Sequence, residues 1–161
     1  MSRSLHLEAL DHAPAGAPGL HVAVVTSDMG AGLTALPEAL GCGRVGGDRG
    51  VMKPITGCGA NMAPRFLVRD GTSRNFTGNL AEVVGCMLDV GTSGCAYTHP
   101  LQAARVALTA SAAPENVGFL RPDADLLVVF VGAEDDCSAA PNTSLFADRR
   151  TRDRPRLCVV P

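Results

Sequence analysis

The sequence predicts an α/β protein with an open, mostly parallel sheet flanked by helices. Two β-branched apolar runs, residues 20–26 and 125–132, have the near-continuous hydrophobicity of strands buried on both faces. Two segments with helical periodicity lie between these runs, and parallel strands need a connection of that length. A short run at 65–69 has an arginine at each end and is predicted to be an edge strand.

The stronger of the two predicted helices covers residues 79–90. Asn79 and Glu82 have capping-box spacing, and Gly91 follows as a stop signal. The second helix begins at Pro100, a favourable first-turn residue. Helical spacing predicts that the first helix buries Leu80, Val83, Val84, Met87 and Leu88, and the second Leu101, Ala104 and Leu108.

The remaining segments set the domain organisation. We expect residues 1–19 to form a remnant helix and a Pro/Gly-rich turn, 20–146 the α/β domain, and 147–161 an Arg-rich C-terminal tail. Residues 30–64 are Gly-rich and irregular, and a loop of this length is usually functional or cross-linked. A helical turn at 35–40 is expected inside this loop.

Length and charge narrow the function classes. The chain has 161 residues, 46% of them hydrophobic, and a formal net charge of −2. No basic stripe lies along a predicted element, so nucleic acid is not expected as a partner. No run reaches the roughly 18 apolar residues of a transmembrane helix, and residues 1–10 lack the apolar core of a signal peptide.

Six cysteines predict three disulfides and an oxidising compartment, extracellular or cell-envelope. The absence of any C-x-x-C pair argues against a zinc site or a thioredoxin-type motif. Fifteen connectivities remain open, of which the sequence-near one would close three short loops. The six residues are Cys42, Cys58, Cys86, Cys95, Cys137 and Cys158.

Acidic residues follow both predicted central strands. Asp28 follows the first run, and Glu134, Asp135 and Asp136 follow the last. If the strands are parallel, these carboxylates lie at one edge of the sheet, where α/β proteins bind ligands. Carboxylate and hydroxyl oxygens suit Mg²⁺ or Ca²⁺, which are the candidate cofactors. The alternative is that the acids cap a helix or face solvent.

Three segments together resemble a von Willebrand factor type A-like domain, of the cysteine-containing variety found in bacterial exported proteins and lipoproteins. They are LHVAVVTSDMGAG, the stretch NFTGNLAEVVGCMLDVGTSGCAYTHPLQAARVAL, and LLVVFVGAEDDCS. The resemblance implies a non-enzymatic binding or adhesion module of an exported protein, with a protein or glycan ligand. It also implies a cation site, in which Asp135 or Asp136 and Thr98 are the nearest matches.

The same resemblance implies that the domain is truncated at its N-terminus. The Asp-x-Ser-x-Ser stretch of the family has no counterpart here, and residues 20–26 match the family's second strand. The metal site is therefore expected to be incomplete, and the sheet to lack its first strand. We therefore expect the chain to be a fragment or a mis-started gene product that is marginally stable alone.

Two other functions compete with a binding module. A metal-dependent hydrolase would use the cluster of Asp28, Asp135 and Asp136, although no positioned nucleophile supports it. A purely structural, disulfide-linked surface domain would differ from the binding module in lacking cation dependence.

Overall fold

The structure, a computed structural model, describes residues 19–31, 41–60, 64–109 and 113–138. These residues divide into two compact units. The sheet unit comprises the described residues of 19–24 and 52–90, and the loop unit those of 25–51 and 91–138. No helix within these ranges has the length and apolarity needed to cross a membrane.

The sheet unit contains a three-stranded antiparallel sheet. The strands are β1 (Leu20–Val22), β2 (Leu67–Asp70) and β3 (Ser73–Arg74), with β2 in the centre. A two-residue hairpin joins β2 to β3, and its Gly71 has a φ of 56°, which glycine adopts without strain. The side chain of Asn75 extends the pairing, because its Oδ1 accepts from the Val68 N–H and its Nδ2 donates to the Phe66 carbonyl.

One helix, α1 (Leu80–Leu88), supplies the core of the sheet unit. The Asn79 side chain caps its first turn by accepting from the Ala81 N–H, so the predicted start of the helix is confirmed. Its apolar stripe packs with residues from β2 and from the loops. The buried cluster is Ile55, Leu67, Phe76, Leu80, Val83, Val84 and Met87.

The predicted open parallel sheet is wrong. The strands of the described chain are antiparallel, and β1 pairs with β2 from Leu20 opposite Arg69 to Val22 opposite Leu67. The predicted edge strand is the central one. Residues 125–132 form no strand and lie exposed. Apolar composition indicated burial, but a strand buried on both faces also needs neighbours at both edges, and this run has none in the described chain.

The loop unit has little regular structure. It contains α2 (Pro100–Ala107) and a 3₁₀ turn (Pro114–Asn116). The helix begins where predicted, but it buries Ala103 and Ala107, whereas Leu101 faces solvent. Buried Asn116 donates through Nδ2 to the carbonyls of Gly50 and Ala107. The helical turn expected at 35–40, residues 1–18 and the Arg-rich tail lie outside the described residues.

The disulfides follow the division into units. Cys58–Cys86 lies within the sheet unit and Cys42–Cys95 within the loop unit, so the sequence-near pairing of these four cysteines does not occur. Cys137 is also disulfide-bonded, and Cys158 lies outside the described residues. Disulfides indicate an oxidising, extracellular-type environment.

Candidate functional site

Three stretches of the loop unit lie side by side and bring the predicted site residues together. Asp28 and Thr98 form an isolated antiparallel bridge. The His99 N–H donates to the Ser27 carbonyl at 2.9 Å, and the Cys137 N–H donates to the Thr98 carbonyl at 2.7 Å. Hydrogen bonds therefore join residues that are about 35 to 70 positions apart in the sequence.

Asp135 and Asp136 have different roles at this junction. The Thr98 hydroxyl donates to the main-chain carbonyl of Asp135 at 2.8 Å. The Asp136 carboxylate accepts from the Leu101 N–H at 3.2 Å, and Ser138 Oγ accepts from the Gln102 N–H at 2.8 Å. These two N–H groups belong to the first turn of α2, where orphan donors need acceptors. Asp136 and Ser138 therefore cap α2 from outside the helix.

Asp28 is held by a loop and by an arginine. Its Oδ1 accepts from the Gly30 N–H at 2.9 Å, and its Oδ2 lies 3.7 Å from Arg44 Nη2. Arg44 also pairs with Asp48, whose other oxygen accepts from the Thr26 hydroxyl at 2.6 Å. Gly47 makes this approach possible, because a Cβ on it would lie 2.2 Å from Asp28 Oδ1.

His99 is a buried titratable group that the sequence analysis did not select. Its side chain is 3% exposed, and Nε2 lies 3.0 Å from the Gly30 carbonyl, which can only accept, so Nε2 carries the hydrogen. Burial lowers the pKa of His99 below its ordinary value of 6.5, although Gly30, Asp136 and Asp28 act in the opposite direction. The ring is therefore a neutral structural donor near pH 7.

The assembled residues do not fit a divalent cation as they stand. Asp28 already faces the guanidinium of Arg44, and the Asp136 carboxylate accepts hydrogen bonds from Leu101 and Ser138. In the described part of the chain, no three His, Cys, Asp or Glu side chains converge closely enough to hold a metal ion. A hard cation needs about six oxygen ligands, and the two carboxylates here are committed elsewhere.

Next to this junction, a cleft of about 220 Å³ opens beside the apolar run. The polar residues that line it are Ser27, Thr98 and Glu134. Its apolar wall is formed by Pro100, Phe130 and Val131. The cleft therefore combines an acidic group with an apolar wall.

The run that leads to this cleft was predicted to be a buried strand, and it is exposed instead. From Leu126 to Val131 every side chain is large and apolar, with exposed fractions between 40% and 84%. Within the described chain, the backbone groups of residues 126–134 have no hydrogen-bond partner. The acids before and after the run are the sequence feature that marks its ends. A local pattern does not reveal whether such a run is paired with another strand.

Comparisons with family models, with curated proteins and with solved structures give no match for this chain. The resemblance to von Willebrand factor type A-like domains is therefore neither supported nor excluded by them.

Proposed function

We propose that this chain is a non-enzymatic binding module of an exported protein, and that the exposed run Leu126–Val131 contacts a protein ligand. The single observation that carries the proposal is the contiguity of the run. Exposed apolar residues are ordinary when scattered, but six in succession form a patch of the kind that marks interaction sites.

Covering the patch with a ligand would be favourable, because apolar surface would be removed from water. Burying one large aliphatic side chain contributes roughly 1.5–3 kcal/mol relative to full exposure. Leu127 and Val131 are 84% and 76% exposed, so each retains most of that contribution. A ligand that covers these two side chains gains enough to offset part of the entropy lost on association.

The polar groups nearby support a binding role over hydrolysis. The carboxylates of Asp28 and Asp136 hold a loop and cap a helix, and the imidazole of His99 donates to a carbonyl. A hydrolase needs a nucleophile and a base aimed at one point in a cleft.

The apolar character of the run favours a protein ligand over a glycan. Sugar rings are usually held by aromatic faces and dense hydrogen bonding, whereas the only aromatic residue in the run is Phe130. The disulfides support export, and a cell-envelope location is the finer proposal.

The experiment is selection of a random peptide library displayed on phage against the immobilised, oxidised full chain. The variant Leu127→Lys/Val131→Lys places two charges in the run. The matched control is Val117→Lys, because Val117 is as exposed as Val131 at 76%, lies in the same unit and is not part of the run.

We expect the wild-type chain and the Val117→Lys control to enrich peptides, and the Leu127→Lys/Val131→Lys variant to enrich none. Wild-type protein that enriches nothing over the bare support would make a purely structural domain the better function. Selections with EDTA and with added Ca²⁺ or Mg²⁺ are expected to be alike, and enrichment only with a cation would restore the cation-linked site.

A further inference from the structure

We propose that the ligand is an extended peptide segment with basic residues at both ends, which adds to the run Leu126–Val131 as a β-strand. This inference rests on the proposed function and specifies the mode of binding and the chemistry of the partner. Three features of the loop unit carry it: a backbone without hydrogen-bond partners in the described chain, exposed apolar side chains, and acids at both ends.

The backbone supplies the first argument. Residues 126–134 are outside every helix and strand, and their N–H and C=O groups have no partner in the described chain. In an extended conformation, six residues would span roughly 20 Å. An added strand of that length would form about five or six main-chain hydrogen bonds, as in β-strand addition to an exposed edge.

The side chains supply the second argument. In an extended segment, alternate residues face opposite sides. Leu127, Val129 and Val131 are 84%, 52% and 76% exposed, whereas Leu126, Val128 and Phe130 are 52%, 40% and 51% exposed. In the extended form, the face that contains Leu127 would therefore be the more open one, and apolar or β-branched side chains of a partner strand would pack beside it.

Charge selects the partner. Residues 122–138 contain five acids and no lysine or arginine, and the acids lie only outside the run. Two of them precede the run, Asp123 and Asp125, and three follow it, beginning with Glu134. A partner strand with a cation at each end would complement both ends at once.

The same charges disfavour a second copy of this chain. Antiparallel pairing centred between Val128 and Val129 would place Asp123 of one copy opposite Glu134 of the other. Parallel in-register pairing would place every acid opposite itself. Like charges directly opposite one another destabilise a ladder.

The cleft gives one basic residue of the partner a specific location. A lysine or arginine at the end of the added strand would place its methylene stem against Phe130 and Val131 and its charge near Glu134. The hydroxyls of Ser27 and Thr98 line the same cleft and offer further acceptors.

The test uses synthetic fluorescent peptides and the oxidised full chain, with affinity measured by fluorescence anisotropy. The probe is RVTVTVTVR, and the matched peptides are EVTVTVTVE, with acidic ends, and RVTVPVTVR, with proline at the centre. We expect RVTVTVTVR to bind at least about tenfold more tightly than either. We also expect its affinity to fall between about 50 and about 500 mM NaCl.

A pair of proline variants of the chain distinguishes strand addition from simple apolar contact. Adjacent N–H groups in a strand point to opposite edges. Among Val128→Pro and Val129→Pro, one should therefore lose peptide affinity by about tenfold while the other keeps most of it. Val129→Thr, which retains the N–H and the β-branch, should bind as the wild type does. Equal losses in both proline variants would overturn strand addition.

Failure of this inference is separable from failure of the proposed function. If the displayed library enriches peptides that are acidic at the ends or rich in proline, the chain is a binding module and the partner assigned here is wrong. A concentration-dependent dimer that Leu127→Lys/Val131→Lys abolishes would make a second copy the occupant. A rise of about tenfold in peptide affinity on replacing Arg149, Arg150 and Arg152 by Ser would make the chain's own tail the occupant.

Discussion

The sheet unit and the loop unit are stabilised by different interactions. In the sheet unit, one face of α1 packs onto a three-stranded sheet, and seven large apolar residues form a contiguous buried cluster. In the loop unit, a disulfide and hydrogen bonds from buried polar groups such as His99 and Asn116 hold segments that have little regular structure.

The difference follows from how each unit uses its apolar residues. The sheet unit places its leucines and valines at helical and strand spacing, so that they face one another. The loop unit has its largest apolar run in the segment Leu126–Val131, whose side chains are 40% to 84% exposed and belong to no buried core cluster of the described chain. A unit that buries few apolar residues depends for its stability on disulfides and on hydrogen bonds from side chains to the backbone.

The largest expected effect is that of removing the Cys42–Cys95 disulfide of the loop unit. Cys42 and Cys95 are 53 residues apart, and closing a loop of that size stabilises the fold by about 4 kcal/mol in the chain-entropy model. Cys58 and Cys86 are 28 residues apart, which gives about 3.5 kcal/mol. We expect Cys42→Ser/Cys95→Ser to disrupt the loop unit more than Cys58→Ser/Cys86→Ser does.

The chain contains its own reporter for this comparison. Tyr97 is the only tyrosine, the chain has no tryptophan, and Tyr97 is buried in the loop unit. Tyrosine fluorescence in a urea titration therefore follows the loop unit, and far-ultraviolet circular dichroism follows the helices and the sheet. Equal shifts of the tyrosine midpoint in the two double variants would contradict the placement of Cys42–Cys95 in the loop unit and of Cys58–Cys86 in the sheet unit.

A core truncation in the sheet unit should have the next largest effect. Leu80 is 1% exposed and begins α1 against the sheet, so Leu80→Ala leaves a cavity as well as lost apolar burial. We expect it to lower the free energy of unfolding by about 3 kcal/mol. The matched control is Leu88→Ala at the other end of α1, where the side chain is 42% exposed and the loss should stay below about 1 kcal/mol. Similar losses for both variants would argue against the core described here.

Local elements were predictable from the sequence where short-range chemistry determines them. The start of α1 follows from the Asn79 cap, and the start of α2 from Pro100. Pairing was not predictable, because strand partners depend on contacts between residues far apart in the chain. Residues 20–22 and 126–131 have the same apolar pattern. The first segment pairs antiparallel with β2, whereas the second pairs with no strand of the described chain.

The site shows a similar division. The sequence indicated Asp28, Thr98, Asp135 and Asp136 as a group, and the structure brings their backbones together. It did not indicate what their side chains do, because an aspartate that caps a helix and one that binds a cation look alike in a sequence. Arg44 and Ser138, which engage two of these carboxylates, carry no motif that would have singled them out.

The smallest expected effect concerns pH and belongs to the loop unit. Burial lowers the pKa of His99 in the folded chain, whereas the unfolded chain has the ordinary value of 6.5. As the pH falls through 6.5, the unfolded chain therefore takes up a proton that the folded chain resists. The free energy of unfolding should decrease on acidification, by no more than about 1.4 kcal/mol per pH unit, and the loss should stop below the folded pKa.

Urea titrations between about pH 7.5 and about pH 5, followed by the fluorescence of Tyr97, measure this effect while most carboxylates remain ionised. The negative charges of Asp136 and Asp28 favour the protonated form of the ring, so Asp136→Asn should steepen the loss. The variant His99→Gln retains a donor for the Gly30 carbonyl but does not titrate. Its tyrosine midpoint should be nearly independent of pH in this range, and a slope as large as that of the wild type would show that another group in the loop unit takes up the proton.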